Sequence, residues 1–194
     1  MTPPRLLIVP GLGDSSPSHW QTWLQQGERD ALRIEQRDWT SPDLDRWAAR
    51  IASALERAGP GPWIAAAHSF GCLALVRCLA QQPRSDIDAV LLVAPADPAK
   101  FGVSSLLPTS PLPVPSTLVG SETDPWMSAA EARRWARRWA SHWVNLGAAG
   151  HINAEAGFGP LPLARRWVID ARQRLERGRS AAASAAAPAA SPLI

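Results

Sequence analysis

Cysteine is scarce, long apolar runs are missing and no nucleic-acid signature appears, and each of these lacks removes a class of function. Only two cysteines occur in the 194 residues, Cys72 and Cys78. On the single helix predicted there, successive residues turn by about 100°, which sets the two on different faces. No disulfide is expected between them, and they read as reduced packing residues. No second cluster of ligand-type residues accompanies them, so neither a metal nor an organic cofactor is implied. No apolar run nears the roughly 20 residues that cross a bilayer. The opening MTPPRLLIVPGLG lacks the long apolar stretch and small-residue cleavage site of a signal peptide. A cytoplasmic protein with no membrane partner is the expectation.

The charge surplus is small, +3 at neutral pH. The arginines are scattered except in EARRWARRWASHW at 131–143. On a helix, Trp135, Trp139 and Trp143 recur every fourth residue and form one apolar stripe, with Arg133, Arg134, Arg137 and Arg138 on its flanks. This reads as a packed helix with a solvated basic face. No pattern of a known nucleic-acid module accompanies it, so nucleic-acid or anion binding is the lesser reading.

What the chain does contain is a globular composition, 46% hydrophobic and 19% charged, at a length that one core can serve. Short apolar runs bounded by turn residues read as strands: RLLIVPG at 5–11, WIAAAHS at 63–69, DAVLLVAP at 88–95, STLVGS at 116–121 and HWVNLG at 142–147, with a weaker RIEQRDW at 33–39. Between them lie stretches with apolar residues at three- and four-residue spacing, several opening on Ser or Asp caps. Alternating strands and amphipathic helices predict a doubly wound α/β fold, a mostly parallel sheet of about six strands with helices on both faces. Residues 96–115 are too rich in proline for a helix and are expected to form a loop over one edge of the sheet, able to shape a pocket. The Ala/Ser/Pro stretch 178–194 reads as a disordered tail, leaving 1–177 as the domain.

The sharpest signal is Ala67-His68-Ser69-Phe70-Gly71, between a predicted buried strand and a predicted helix. A serine on so tight a turn takes strained backbone angles, and small residues two before and two after it let strand and helix close around it. Ala67 stands where the usual Gly-x-Ser-x-Gly pattern has glycine, and keeps that position small. A serine hydroxyl needs a base, and the chain offers 4 histidines. His151 lies on a glycine-bearing loop after the last predicted strand, at the sheet edge where ligands bind in open α/β folds. His68 is expected to turn away from Ser69 and brace the elbow, while capping or packing accounts for His19 and His142. An acid must then orient the imidazole. Asp124, after the penultimate strand, gives the chain order Ser, Asp, His; Asp97 is the main rival and Glu122 a lesser one. Backbone N–H groups of Phe70 and of Leu12, with Gly13 as the alternative to Leu12, are candidates for an oxyanion hole. The Pro10-Gly11-Leu12-Gly13 turn does not read as a phosphate cradle: a third glycine at the right spacing and a P-loop lysine are both missing. Trp20, Trp126 and Phe70 are candidate walls of a substrate pocket.

Together these residues resemble the small α/β-hydrolases related to retinoblastoma-binding protein 9 and its bacterial relatives, from Arg5 to about Arg177. The resemblance rests on Leu7-Ile8-Val9-Pro10-Gly11, Ser18-His19-Trp20-Gln21-Thr22-Trp23, the His68-Ser69-Phe70-Gly71 elbow, Asp124-Pro125-Trp126 and Gly150-His151-Ile152-Asn153. It implies a hydrolase core without a large lid domain, a triad of Ser69, Asp124 and His151, and hydrolysis of a small ester or amide. The competing reading is a catalytically weak hydrolase fold that acts by binding a protein or anionic partner.

Overall fold

A computed structural model describes residues 3–82 and 86–186. These form a six-stranded, wholly parallel sheet in the order β2-β1-β3-β4-β5-β6. In chain order the elements are β1 (Arg5–Val9), α1 (Trp20–Gln26), β2 (Leu32–Arg33), α2 (Leu44–Ala58), β3 (Trp63–His68), α3 (Phe70–Gln81), β4 (Ile87–Val93), β5 (Ser116–Gly120), α4 (Ala129–Arg138), β6 (His142–Asn145) and α5 (Pro162–Ala186). No helix among the described residues is long and apolar enough to cross a membrane.

The central strands are apolar without alternation because both of their faces are covered. Along β1, Leu7 and Val9 pack into a cluster with α2, α3 and α4, while Leu6 and Ile8 pack into another with α1 and α5. The helices therefore divide between the two sides of the sheet. Their apolar stripes fix the seating: α2 buries Leu44, Trp47, Ala48, Ile51 and Leu55, and starts where the Asp43 carboxylate accepts the N–H of Arg46. The chain moves outward from β1 to β2 and then returns past it to β3. The carboxyl ends of β1 and β3 thus flank the point where the winding reverses, the usual place for a ligand crevice.

The structure departs from the sequence reading at several places. The strand expected at 33–39 is only Leu32–Arg33, continued by one further bond from the Ile34 N–H to the Ile8 carbonyl at 2.9 Å. Beyond it the chain takes other partners: the Glu35 carbonyl accepts from the Arg50 guanidinium, and the Asp38 carboxylate accepts from Thr40 in a local turn. Trp143 does not extend the tryptophan stripe. Helix α4 ends at Arg138, the chain reverses through Ala140 at φ 53°, and Trp143 lies on β6. Trp135 and Trp139 are buried as that stripe required. Residues 96–115 do not skirt an edge. They cross the face beside α3 and α4, tied by Arg77 to the Leu106 carbonyl and by the Trp139 indole to the Pro108 carbonyl. A proline-rich crossover, with a single 3-10 turn at Ser104–Leu106, occupies a helix's place there. Helix α5 runs past the Gly178 boundary to Ala186, because alanine extends a helix that is already nucleated. The rest of the tail, 187–194, lies outside the described residues.

Candidate active site

Ser69 sits between β3 and α3 with φ 52° and ψ −126°. Such angles cost a non-glycine residue on the order of 1–3 kcal/mol. They turn the hydroxyl away from the helix, which it does not cap. Close packing holds the turn in place. A Cβ on Gly71 would stand 2.6 Å from the Val9 carbonyl oxygen, and one on Gly11 would stand 2.7 Å from Ser69 Cβ. Only glycine lets the end of β1 approach α3 this closely. Ala67, fully buried in β3, fits with its methyl group in the core.

Ser69, Asp124 and His151 meet at the carboxyl edge of the sheet. His151 Nε2 is 3.0 Å from Ser69 Oγ, and His151 Nδ1 is 3.0 Å from each carboxylate oxygen of Asp124. The Asp124 side chain is only 3% exposed. A carboxylate can only accept, so Nδ1 carries the proton and Nε2 faces the serine as an acceptor. Asp97 is elsewhere: its carboxylate accepts the N–H of Ala99 and braces its own loop. Glu122 accepts from the Asn145 amide. His142 opens β6 on the exposed side of the chain. Cys72 offers no rival nucleophile, since burial pushes its thiol well above the usual range and keeps it protonated.

Two backbone N–H groups border Ser69. Phe70 is the first residue of α3, where a helix N–H has no intrahelical acceptor. Gly13 donates to the Trp39 carbonyl at 3.1 Å and so turns away, which leaves the Leu12 N–H as the candidate on the β1 side. A cleft of about 560 Å³ opens over Ser69 and His151, walled by Leu12, Phe101, Trp126, His19 and Asn153 among others.

The serine hydrolase family matches residues 6–169. The chain belongs to this family. Among solved structures it is similar to a YdeN-like hydrolase from Pectobacterium atrosepticum, with 40% identity, a TM-score of 0.82, and coverage of 89% of this chain and 92% of that one. More distant likenesses share the fold. The ydeN gene product of B. subtilis is 18% identical at a TM-score of 0.70, covering 87% of this chain and 98% of that one. The esterase RhEst1 from a Rhodococcus species is 14% identical at a TM-score of 0.63, covering 90% of each chain. No curated protein sequence matches the chain significantly.

Two expectations about the cleft of this hydrolase need correction. Trp20 is not a wall: it is fully buried at the start of α1, under the site, with its ring edge-on to His68. Phe70 likewise keeps its ring in the core between Trp47 and Phe101. Trp126, 46% exposed, does line the cleft.

Apart from His68, read as a brace of the elbow, the sequence reading missed the residues that join the strands and loops here. Gln21, fully buried, donates from Nε2 to the carbonyls of Val9 and Ala66, each at 3.0 Å, and so pins β1 to β3 just below the crevice. Ser121 Oγ accepts the N–H of Ala149 at 3.0 Å, and Thr123 Oγ1 accepts that of Gly150 at 2.9 Å. His68 Nε2 donates to the His151 carbonyl at 3.0 Å. Burial, reinforced by the neighbouring histidines His151 and His19, holds the His68 pKa well below 6.5, so the ring is neutral. The only available sequence signal was position, since Ser121 and Thr123 fall between a strand end and Asp124.

Proposed function

We propose that this hydrolase cleaves a small carboxylic ester or amide, in the manner of a carboxylesterase, through an acyl-enzyme on Ser69. The observation that carries the reading is the unbroken hydrogen-bonded chain Ser69–His151–Asp124, with both links at 3.0 Å. Ser69 Oγ attacks the carbonyl carbon as its proton passes to His151 Nε2. The new C–O bond places negative charge on the former carbonyl oxygen, opposite the N–H groups of Leu12 and Phe70. Asp124 stabilises the imidazolium. His151 then returns the proton to the leaving alcohol or amine as its bond to the carbonyl carbon breaks. A water molecule, deprotonated by His151, releases the acid and restores Ser69.

The test is covalent labelling with a fluorophosphonate, with the adduct located by peptide mass spectrometry. The adduct is expected on Ser69, lost in Ser69→Ala and slowed about 1,000-fold in His151→Ala. A folded protein that stays unlabelled, or is labelled elsewhere, overturns the assignment.

A further inference from the structure

Of the three histidines that line the cleft, His19 and His68 take no part in the proposed chemistry, and His68 already donates its Nε2–H to the His151 carbonyl. His19 precedes α1, where its Nδ1 accepts the N–H of Gln21 at 3.1 Å. A backbone N–H can only donate, so Nδ1 is unprotonated and the neutral ring must carry its proton on Nε2. Burial, with the Arg33 charge second, lowers the His19 pKa to about 4, which keeps that tautomer at neutral pH. The residue is 4% exposed, and its ring centroid stands 4.8 Å from that of His68, edge against face. His68 is in turn 4.8 Å from the ring of His151. His19 Nε2 has no protein acceptor among the described residues. It is not sealed off either: the enclosed side-chain nitrogens without acceptors there are the indoles of Trp20, Trp63 and Trp135. The opening that reaches His19 is the cleft it lines together with Ser69 and His151. A fixed N–H donor that opens onto the cleft exchanges water for an acceptor on a bound molecule, which marks a place for a polar substrate atom.

We infer that His19 is a substrate-positioning residue whose Nε2–H donates to an oxygen or nitrogen in the leaving group, on the side of Ser69 where the His151 ring lies. The inference rests on the acyl-enzyme reading. It assigns the hydrolase a preference for esters whose alcohol portion carries a hydrogen-bond acceptor close to the scissile bond. Phe101 lines the same cleft, against Phe70 at a centroid distance of 5.1 Å, and offers the apolar surface for the acyl chain.

A matched pair isolates the effect. 2-Methoxyethyl butanoate and n-butyl butanoate differ by an oxygen in place of a methylene in the alcohol, and hydrolysis of either releases acid that a pH-stat records. His19→Asn keeps an acceptor for the Gln21 N–H, since Asn is a favourable N-cap, but does not reach the cleft. The wild-type ratio of kcat/KM, methoxyethyl over butyl, is expected to fall about tenfold in His19→Asn, the factor one neutral hydrogen bond supplies. If both esters slow alike, or the ratio holds, His19 is only a helix cap and the inference fails. Fluorophosphonate labelling, run beside the assay, separates the two readings. Labelling at Ser69 with an unchanged ratio overturns the His19 role alone. No labelling and no turnover overturn the acyl-enzyme reading and this inference with it.

Discussion

The two halves of the site are held in place by different forces. On the Ser69 side, β1, β3 and α3 close against one another with no room for a side chain at Gly11 or Gly71, and the serine is strained into position. On the His151 side, the loops after β5 and β6 are laced by small polar groups: Ser121 to Ala149, Thr123 to Gly150 and His68 to the His151 carbonyl. One half is set chiefly by steric exclusion, with the Gln21 amide joining β1 to β3, and the other by hydrogen bonds between loops. Substitutions in the packed half should therefore cost the fold, and those in the laced half should cost rate more than stability.

The largest effect is expected from Ser69→Ala, which removes the proposed nucleophile but leaves the packing intact: a loss of about 10,000-fold or more in kcat/KM on a p-nitrophenyl ester, with Tm nearly unchanged. Next is Gly71→Ala, whose methyl group meets the Val9 and Pro10 carbonyls. It should destabilise the protein by about 3 kcal/mol, read from the urea midpoint. Ser121→Ala takes from the Ala149 N–H one of its two acceptors, leaving it the Gly147 carbonyl, and should cost about 1 kcal/mol. Its kcat should fall about tenfold, because the loop that sets His151 against Ser69 loosens. If Ser121→Ala and Gly71→Ala prove alike in their balance of rate and stability, the division between the halves is wrong.

The smallest effect concerns pH. His19 has its pKa lowered to about 4 from 6.5, so the unfolded chain binds that proton more readily than the folded one. The stability tied to the neutral ring is complete above 6.5 and is lost as pH falls toward 4. Buried His68 acts in the same direction. Tm should drop across this window, and less steeply in His19→Asn.

The packed elbow and the residues Asp124 and His151 were legible in the sequence, whereas the hydrogen bonds that hold the loops and strands together were not. Ala67-His68-Ser69-Phe70-Gly71 announces itself because the need for small residues is local, and strand ends carrying an acid and a histidine brought Asp124 and His151 forward, with Asp97, also past a strand end, left as the rival. Nothing periodic marks Ser121 or Thr123: a hydroxyl one or three residues past a strand looks like any turn residue until the facing loop is placed. Trp20 was misplaced because proximity in sequence to the glycine turn does not say which face of a seven-residue helix is buried. Trp143 was drawn into a helical stripe by spacing alone, since the break at Ala140 is a backbone event without a glycine or proline to signal it. The second strand was overextended because an edge strand of two residues leaves almost no pattern.

The central claim is that Ser69 carries the acyl group during turnover. Rapid mixing with a p-nitrophenyl ester, acid quenching within the first turnover and peptide mass spectrometry would test it directly. The account predicts a burst of p-nitrophenol and the acyl mass on the peptide containing Ser69, both missing in Ser69→Ala. Turnover with no burst and no acylated peptide, or an acyl group found on another residue, would contradict it.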